Sequence, residues 1–371
     1  MEKSRIESQE ELWEFIDGCT LLGVGGGGNP EEGFKALSDA LNEKGPIEWI
    51  DVDQVDDDAI SLCIFLMGST APLTEEKIKK KNQLGLTTWK YPLNLANAVQ
   101  EWENYTGKKA DIIIPLEVGG SNMPVPMAVA KKLGKTIVDG DYAGRAIPEI
   151  FQISLMLEEV PFWPAASVDK YGNICIIKEA ISLSVAERIG KYLSEVAFGS
   201  TGLAGFPITG KQLKRLLVRG SVSQAYKLGK VLKRVREGKE NLRQALEKER
   251  AKLLFKGKVT KKEWKDEEGY YIGFHTLDGD DEFKGEKARI FFKNENHIVW
   301  KDGNYLASSP DLICCIRPDT VKPVRNEEIE IGSYLEVYGF SCNPIMQRKE
   351  VMDRLCPRYF GFELDYEPLK P

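Results

Sequence analysis

Between residues 23 and 149 the chain repeats one arrangement four times: a short apolar run, a loop rich in glycine or acidic residues, and a helix-forming segment. The four loops lie at residues 23–30, 67–72, 117–124 and 139–149. In an open α/β sheet, loops that lead from strand to helix gather at the carboxyl ends of the strands, where ligands bind. The repetition therefore predicts an α/β domain with a ligand site among these loops.

The composition restricts the class of protein. The chain has 371 residues, 42% of them hydrophobic, which is enough for two domains. Its net charge of −6 argues against a general nucleic-acid binder. No apolar run approaches the ~20 residues that span a bilayer, and residues 1–10 are too polar for a secretory signal. We therefore expect a cytoplasmic protein with a small-molecule substrate and no nucleic-acid or membrane partner.

Cysteine and histidine limit the kinds of metal site. The seven cysteines include no C-x-x-C pair, and His275 and His297 are the only histidines. A divalent metal would therefore need mainly carboxylate ligands, and whether the protein holds a cofactor stays open. Cys342 could be a nucleophile, but nothing near it in sequence activates it, so a structural thiol is the simpler interpretation.

The order of predicted elements changes near residue 160. Before it, strands alternate with helices, which predicts a mostly parallel sheet with helices on both faces. We assign residues 1–160 to this α/β domain and residues 161–371 to a C-terminal domain. That domain is helical over 183–250 and β-rich over 255–340, where the strands predict an antiparallel barrel or sandwich. The charged stretch 211–250 is interpreted as a solvated helical connection or an oligomer surface.

The first loop offers backbone and amide groups to a ligand. These groups belong to Gly25, Gly26, Gly27, Gly28 and Asn29. The spacing of glycines over 23–28 also matches the dinucleotide fingerprint, but Glu31 and Glu32 would put negative charge where a pyrophosphate binds. We favour a loop that contacts substrate through its backbone. A structural turn and the dinucleotide site of an oxidoreductase are the alternatives.

The fourth loop carries the most charge, in Asp139, Asp141, Arg145 and Glu149. Pro148 is expected to start a helix, which leaves Arg145 in the loop. Such a loop could bind a divalent ion, orient an amide-like substrate or transfer a proton. The alternative is an Asx-turn with a structural arginine. We expect Arg145→Lys to reduce activity far more than stability, because lysine cannot reproduce a bidentate fork.

Two further segments place carboxylates near predicted strand ends. Glu117 follows an apolar strand directly, which is a suitable position for general acid–base catalysis, although it could instead cap the next helix. Asn294 and Glu295 interrupt a strand pair and could line a site or simply form a hairpin turn. Substrate contacts near Glu117 are expected from Gly119, Gly120 and Asn122.

Together these motifs resemble those of the S-methyl thiohydantoin desulfurase-like proteins. The resemblance covers nearly the whole chain. It rests on residues 25–28, Glu117-x-Gly-Gly-x-Asn122, the string Asp-Gly-Asp-x-x-Gly-Arg-Ala-x-Pro-Glu at 139–149, Asn294-Glu295 and Ser-Pro-Asp-Leu-Ile at 309–313. Members are often associated with hydantoinase and oxoprolinase systems, which implies chemistry on five-membered cyclic ureides or thioureides.

The resemblance implies a hydrolase or desulfurase that acts on a hydantoin- or thiohydantoin-like ring. Such a reaction needs a base, an acid and stabilisation of a developing anion. Glu117, Asp139 or Asp141 could supply the base, and Arg145 with the N–H groups of residues 25–28 could stabilise the anion. The alternative is a non-catalytic partner subunit of a hydantoinase or oxoprolinase assembly. As partners, the chain could have a second copy of itself in a homo-oligomer or a hydantoinase-type protein.

Overall fold

Two β-sheets organise the protein. The computed structural model describes residues 4–68 and 73–369, so most of the predicted loop at 67–72 lies outside the described residues. One sheet has six strands with helices packed on it, and the other has eight antiparallel strands. This arrangement confirms the predicted fold class, an α/β region followed by a β-rich region. No helix in the described ranges is long and apolar enough to cross a membrane.

The first 250 residues form the α/β part and its helices. Its strands are β1 (Arg5–Ile6), β2 (Ile47–Glu48), β3 (Ile60–Gly68), β4 (Ile112–Pro115), β5 (Thr136–Ile137), β6 (Gly140–Asp141), β7 (Ala165–Asp169), β8 (Ile174–Ile177), β9 (Ser200–Thr209) and β10 (Val218–Arg219). Its helices are α1 (Gln9–Leu22), α2 (Pro30–Lys44), α3 (Glu75–Gln83), α4 (Asn94–Thr106), α5 (Pro124–Leu133), α6 (Leu183–Val196), α7 (Gly210–Leu216), α8 (Ser221–Arg236) and α9 (Leu242–Lys248).

The six-stranded sheet is mixed, which corrects the expectation of a mostly parallel one. Its order is β5-β4-β3-β9-β7-β8. The pairings of β3 with β4 and of β4 with β5 are parallel. The strands β9, β7 and β8 pair antiparallel, and β9 runs alongside β3 in the centre of the sheet. The parallel half thus comes from the repeated units, and the antiparallel half comes from residues after 160.

The charged stretch 211–250 is part of the α/β core, which corrects its interpretation as a solvated connection. Helix α8 packs tightly along α1 through two glycines. A Cβ at Gly18 would lie 1.8 Å from the Ala225 carbonyl oxygen, and one at Gly229 would lie 1.7 Å from the Glu14 carbonyl oxygen. The apolar face of α8 is buried, while the charged residues of its outer face pair with α1, as Lys233 does with Glu14 at 2.8 Å.

Two local expectations near the loops are wrong. The apolar run before Gly23 is the end of α1, so the first glycine loop joins two helices rather than a strand and a helix. The dinucleotide fingerprint needs a preceding strand, so the structure does not support the oxidoreductase alternative. The predicted helix from Pro148 is also absent, and a short 3₁₀ helix spans Ser154–Glu158. Residues 147–150 instead run along a cavity wall, where their N–H groups bond to side chains.

The C-terminal region forms a curled antiparallel sheet. Its strands are β11 (Lys252–Glu267), β12 (Tyr270–Gly279), β13 (Lys287–Lys293), β14 (Glu295–Lys301), β15 (Asn304–Ser308), β16 (Leu312–Arg317), β17 (Lys322–Pro323) and β18 (Tyr334–Phe340), followed by the short helix α10 (Lys349–Met352). The sheet order is β15-β14-β13-β12-β11-β18-β16-β17, and β14 also contacts β16, so the sheet curves around its own apolar core. The antiparallel strands predicted for this β-rich region are present.

Candidate active site

A cavity of about 410 Å³ lies where the two sheets meet. Its wall combines the first glycine loop, the end of β3, the loop after β4, residues 147–150, one face of α6 and two turns of the C-terminal region. Nine of the side chains or glycines predicted as site residues line it. They are Gly26, Gly27, Gly28, Asn29, Glu117, Asn122, Glu149, Asn294 and Glu295.

The glycine loop is folded against the loop after β4 and held by the C-terminal region. The Gly27 carbonyl accepts the N–H groups of Ser121 and Asn122 at 3.1 and 3.2 Å. Gly27 has φ +80°, and a Cβ there would lie 2.5 Å from the Gly119 Cα, so both the conformation and the space require glycine. Asn326 donates its N–H to the Gly25 carbonyl at 2.8 Å, which ties the loop to the other sheet.

Some predicted contact residues support this loop instead of lining the cavity. Gly119 and Gly120 lie beneath Gly27 and Gly28, where a side chain would collide with backbone. Gly25 faces the Asn326 side chain. Gly119 and Gly120 therefore allow the two loops to approach each other, and Gly25 leaves room for the Asn326 side chain. None of the three is among the cavity-lining residues.

Glu117 is buried at the floor of the cavity and held in one orientation. Its Oε2 accepts the N–H of Ile147 at 2.6 Å, and its Oε1 accepts a hydrogen bond from the Asn122 amide. Burial raises the pKa of Glu117 well above its usual range, and the negative charge of Glu295 raises it further, against the lowering effect of the two hydrogen bonds.

Glu295 approaches the same cavity from the first residue of β14. It is 3% exposed, and its Oε2 has no hydrogen-bond partner among the described residues. Burial raises the pKa of Glu295 to about 8, although the charge of Arg145 lowers it. The carboxyl packs so closely on Gly26 that a Cβ there would lie 2.0 Å from Glu295 Oε1.

Glu117 and Glu295 thus form a pair of buried, mutually repelling carboxyls, one from each sheet region. A negative charge on Glu295 opposes the ionisation of Glu117, so we expect the pair to lose its two protons in separate steps. A pair that holds one negative charge and one proton can accept a proton from one group and donate a proton to another.

The most charged predicted loop lies mainly behind the cavity. Asp139 accepts hydrogen bonds from the backbone and hydroxyl of Ser223 at 3.0 and 2.5 Å. Asp141 is fully buried and accepts the N–H groups of Ala143 and Gly144 at 3.1 and 2.8 Å, which is the Asx-turn alternative. Neither carboxylate is among the cavity-lining residues, so the structure does not bring them to the place where a substrate fits.

Arg145 also differs from its expected role as a substrate contact. Its guanidinium is fully buried and is not among the cavity-lining residues. It donates to three backbone carbonyls, those of Ala146 at 3.0 Å, Asp311 at 2.8 Å and Asn296 at 2.8 Å. Because two of these carbonyls belong to the C-terminal region, Arg145 joins the two regions directly beneath the cavity and positions β14, which begins with Glu295.

A second set of charged residues lines the cavity, and sequence reasoning missed most of it. Glu149 accepts a hydrogen bond from Lys293 at 2.5 Å and another from the Tyr359 hydroxyl. The remaining members are Glu32, Glu187, Lys191, Arg325 and Glu327. The α6 residues show the ordinary spacing of an amphipathic helix, so nothing in the local sequence distinguishes them from a solvated face.

The remaining sequence candidates have structural roles. Within the described residues, no three His, Cys, Asp or Glu side chains are arranged to hold a metal ion, so the suggested divalent metal has no ligand set there. Cys342 is buried, and burial raises the pKa of its thiol to about 12. In the motif at 309–313, the Asp311 carboxylate accepts the N–H groups of Cys342 and Leu369 at 2.8 and 2.7 Å, which holds the C-terminal segment in place.

Two family models match the chain and together cover almost all of it. The S-Me-THD-like N-terminal domain matches residues 10–179, and the S-Me-THD-like C-terminal domain matches residues 181–369. The X-ray crystal structure of a protein from Chromobacterium violaceum covers 99% of this chain and 100% of its own chain, with 23% sequence identity and a TM-score of 0.76. That likeness shows a shared fold. No curated protein matches the chain.

Proposed function

The chain belongs to the S-Me-THD-like family, and we propose that it is a hydrolase that desulfurises a thiohydantoin-like ring. The observation that carries the proposal is the buried pair Glu117 and Glu295, which faces a cavity bordered by a glycine loop. The volume of about 410 Å³ suits a small ring compound.

The reaction replaces an S-alkyl group on a ring carbon by oxygen. Water attacks the carbon that carries sulfur and lies between two ring nitrogens, and one carboxylate of the pair accepts a proton from that water. The carbon–sulfur bond then breaks, and the protonated carboxyl gives its proton to the departing thiolate. The products are a ring carbonyl and a free thiol. Of the two protons of water, one ends on the thiol sulfur and the other on the ring nitrogen that was doubly bonded to the attacked carbon.

The two glutamates suit different parts of this reaction. Glu117 is oriented by donors on both oxygens, which stabilise it as a carboxylate and favour it as the base. Glu295 has an oxygen without a donor from the described residues, so it can carry the proton and act as the acid. Burial raises the pKa of both glutamates, so the hydrogen-bond donors and not the pKa shifts distinguish their roles. The N–H groups of Gly27 and Gly28 have no acceptor in the described ranges. They can therefore donate hydrogen bonds to a ring nitrogen or oxygen on which negative charge develops during the reaction.

The test is direct. Purified protein is incubated with S-methyl thiohydantoins in ¹⁸O-labelled water, and both released thiol and ¹⁸O in the ring carbonyl are measured. We expect both in equal amounts, and we expect Glu117→Gln to abolish them. Asp141→Asn is the matched control, because Asp141 is an equally buried carboxylate outside the cavity wall.

A folded protein that releases no thiol from a panel of ring substituents would contradict the hydrolase proposal. It would favour the other proposal for this family, a non-catalytic partner of a hydantoinase or oxoprolinase assembly. Co-purification and size analysis with such an enzyme would then test that role.

A further inference from the structure

One buried asparagine, Asn326, connects the two segments that meet at the Glu295 carboxyl. It is fully buried in one of the two C-terminal turns that border the cavity. Its main-chain N–H donates to the Gly25 carbonyl, and its side-chain Nδ2 donates to the Asn294 carbonyl, both at 2.8 Å. Gly26, the next residue of the first loop, packs on the Glu295 carboxyl, and Asn294 directly precedes Glu295. Asn326 therefore bonds to the backbone on both sides of that carboxyl.

The side-chain amide of Asn326 can face only one way in this arrangement. If the amide were turned over, its Oδ1 and the Asn294 carbonyl would be two acceptors 2.8 Å apart with no hydrogen between them. Oδ1 therefore faces the other neighbour, the Nε2 of His275, at 3.2 Å. Because an amide oxygen can only accept, His275 Nε2 must carry the ring proton.

The surroundings of His275 favour this neutral form of the ring. The imidazole is fully buried and stacked on Phe292, with ring centroids 4.6 Å apart. Its Nδ1 has no hydrogen-bond partner among the described residues, so a proton there would be left without an acceptor. Burial above all, and the charge of Lys262 as well, lower the pKa of His275 to about 3. The ring therefore has one N–H, and that N–H is directed at Asn326.

Lys262 holds the same turn from its backbone side. Its ammonium donates to the carbonyls of Asn326, Glu327 and Ile329 at 3.0, 3.3 and 2.7 Å. The main-chain N–H and carbonyl of Asn326 and both polar atoms of its amide thus all have partners. A residue held at four points can fix the position of what it bonds to.

We propose that His275 and Asn326 are positioning residues for the reaction. The imidazole N–H orients the Asn326 amide, and the amide holds the Asn294 carbonyl, so that Glu295 keeps its place. This inference rests on the proposed function and adds two residues that are not among those lining the cavity. Because they act on Glu295 through the backbone before it, loss of either side chain should lower kcat and leave KM almost unchanged.

The experiment measures thiol release from an S-methyl thiohydantoin. Asn326→Leu keeps the approximate shape but cannot donate to the Asn294 carbonyl, and a shift of about 1 Å in Glu295 should lower kcat by about 10²-fold. His275→Met removes only the donor to the amide, so the loss should be about 10-fold. His275→Gln again offers an N–H donor and should recover most of kcat. Asn326→Ala serves the same purpose if the leucine variant does not fold.

A matched control and a double variant distinguish positioning from a general loss of stability. Asn94 is also a buried asparagine, and its Nδ2 donates to the Val168 carbonyl at 2.8 Å, but it is not among the cavity-lining residues. Asn94→Leu should lower the melting temperature and keep kcat. If the imidazole acts only through the amide, His275→Met added to Asn326→Leu should lower kcat no further. Parental kcat in folded Asn326→Leu, or losses that multiply in the double variant, would overturn the proposal.

Two measurements decide the positioning without activity. Long-range ¹H–¹⁵N NMR of the parent, which has only two histidines, should show His275 protonated at Nε2 alone. A crystal structure of Asn326→Leu should show the Glu295 carboxyl displaced from Gly26. A parent that releases no thiol contradicts the hydrolase alone, and these two results then decide the positioning. A ring protonated at Nδ1, or a Glu295 that stays in place, contradicts it.

Discussion

The loop at 117–122 and the loop at 139–145 both follow strands of the same sheet, yet they differ in what covers them. The first faces the cavity, so Glu117 keeps one side toward a ligand. The second is covered by α8, whose Ser223 binds Asp139, and by the C-terminal region, whose carbonyls bind Arg145. The more charged loop therefore lies away from the cavity wall, and charge density along the sequence does not identify the loop that lines the cavity.

The comparison also explains how the two regions combine to form the proposed site. Arg145 fixes the C-terminal region at the Asp311 and Asn296 carbonyls, next to the strand that delivers Glu295. Glu117 lies in the loop that follows β4 of the other sheet. The loop at 139–145, which positions the C-terminal region, and the loop at 117–122, which carries the proposed base, should respond differently to substitution. Four predictions test this difference.

The largest expected effect is the loss of folding on replacement of Arg145. In Arg145→Lys, a single ammonium cannot reach three carbonyls in different directions, and buried carbonyls lose their donors. We expect a fall of about 3 kcal/mol or more in the free energy of unfolding, measured by urea denaturation. This reverses the sequence-based expectation for the same variant. Lys35→Met, which alters an exposed pair, should change stability by no more than about 0.5 kcal/mol. A variant with parental stability and no activity would restore Arg145 as a substrate contact.

The second effect separates the two loops by activity. Glu117→Gln keeps the shape and the Asn122 and Ile147 neighbours but cannot accept a proton, so we expect turnover to fall by about 10²–10⁴-fold. Asp141→Asn should retain near-parental turnover. Thiol release by both variants, together with their melting temperatures, gives the measurement. Similar losses in both would show that the loops share the chemistry and that the distinction between them is wrong.

Much of the fold could be predicted from the sequence because it depends on local pattern. The alternation of strand-like and helix-forming segments identified the α/β part, and the run of strands after residue 255 identified the curled sheet. The centre of the six-stranded sheet could not be predicted, since β9 pairs with β3 across about 140 residues of chain and no local signal specifies that partner. Glu117 and Glu295 were candidates, whereas their meeting in one cavity depends on how the two sheets pack. Lys191 was missed because lysine on an amphipathic helix usually faces water.

The third effect concerns the first glycine loop, which carries no charge but contacts Glu295 of the proposed catalytic pair through Gly26. In Gly26→Ala the new Cβ would lie 2.0 Å from Glu295 Oε1, so the carboxyl must move. A displacement of about 1 Å in a catalytic group can cost ~10²-fold in rate. We expect that loss in kcat with modest change in melting temperature. Gly199→Ala is the control, because Gly199 also lines the cavity but has no heavy atom within 4 Å of a new Cβ. Equal turnover in the two variants would contradict the close packing of Glu295 on the loop.

The smallest effect is a pH-dependent difference in stability at Asp141. Burial raises the pKa of Asp141 from 3.8 to about 7 in the folded protein. The folded state therefore holds a proton that the unfolded chain releases between these values, so Asp141 lowers stability as pH rises from about 4 to 7, with no further change above that. Asp141→Asn removes this contribution while keeping an oxygen for the Ala143 and Gly144 N–H groups. We expect the melting temperature of Asp141→Asn to exceed the parental value by several °C at pH 8. The difference should shrink steadily toward pH 4, where the parental carboxyl is protonated in both states. A difference in melting temperature that is constant with pH would mean that Asp141 does not titrate in this range. It would contradict the prediction that the folded state holds a proton on Asp141.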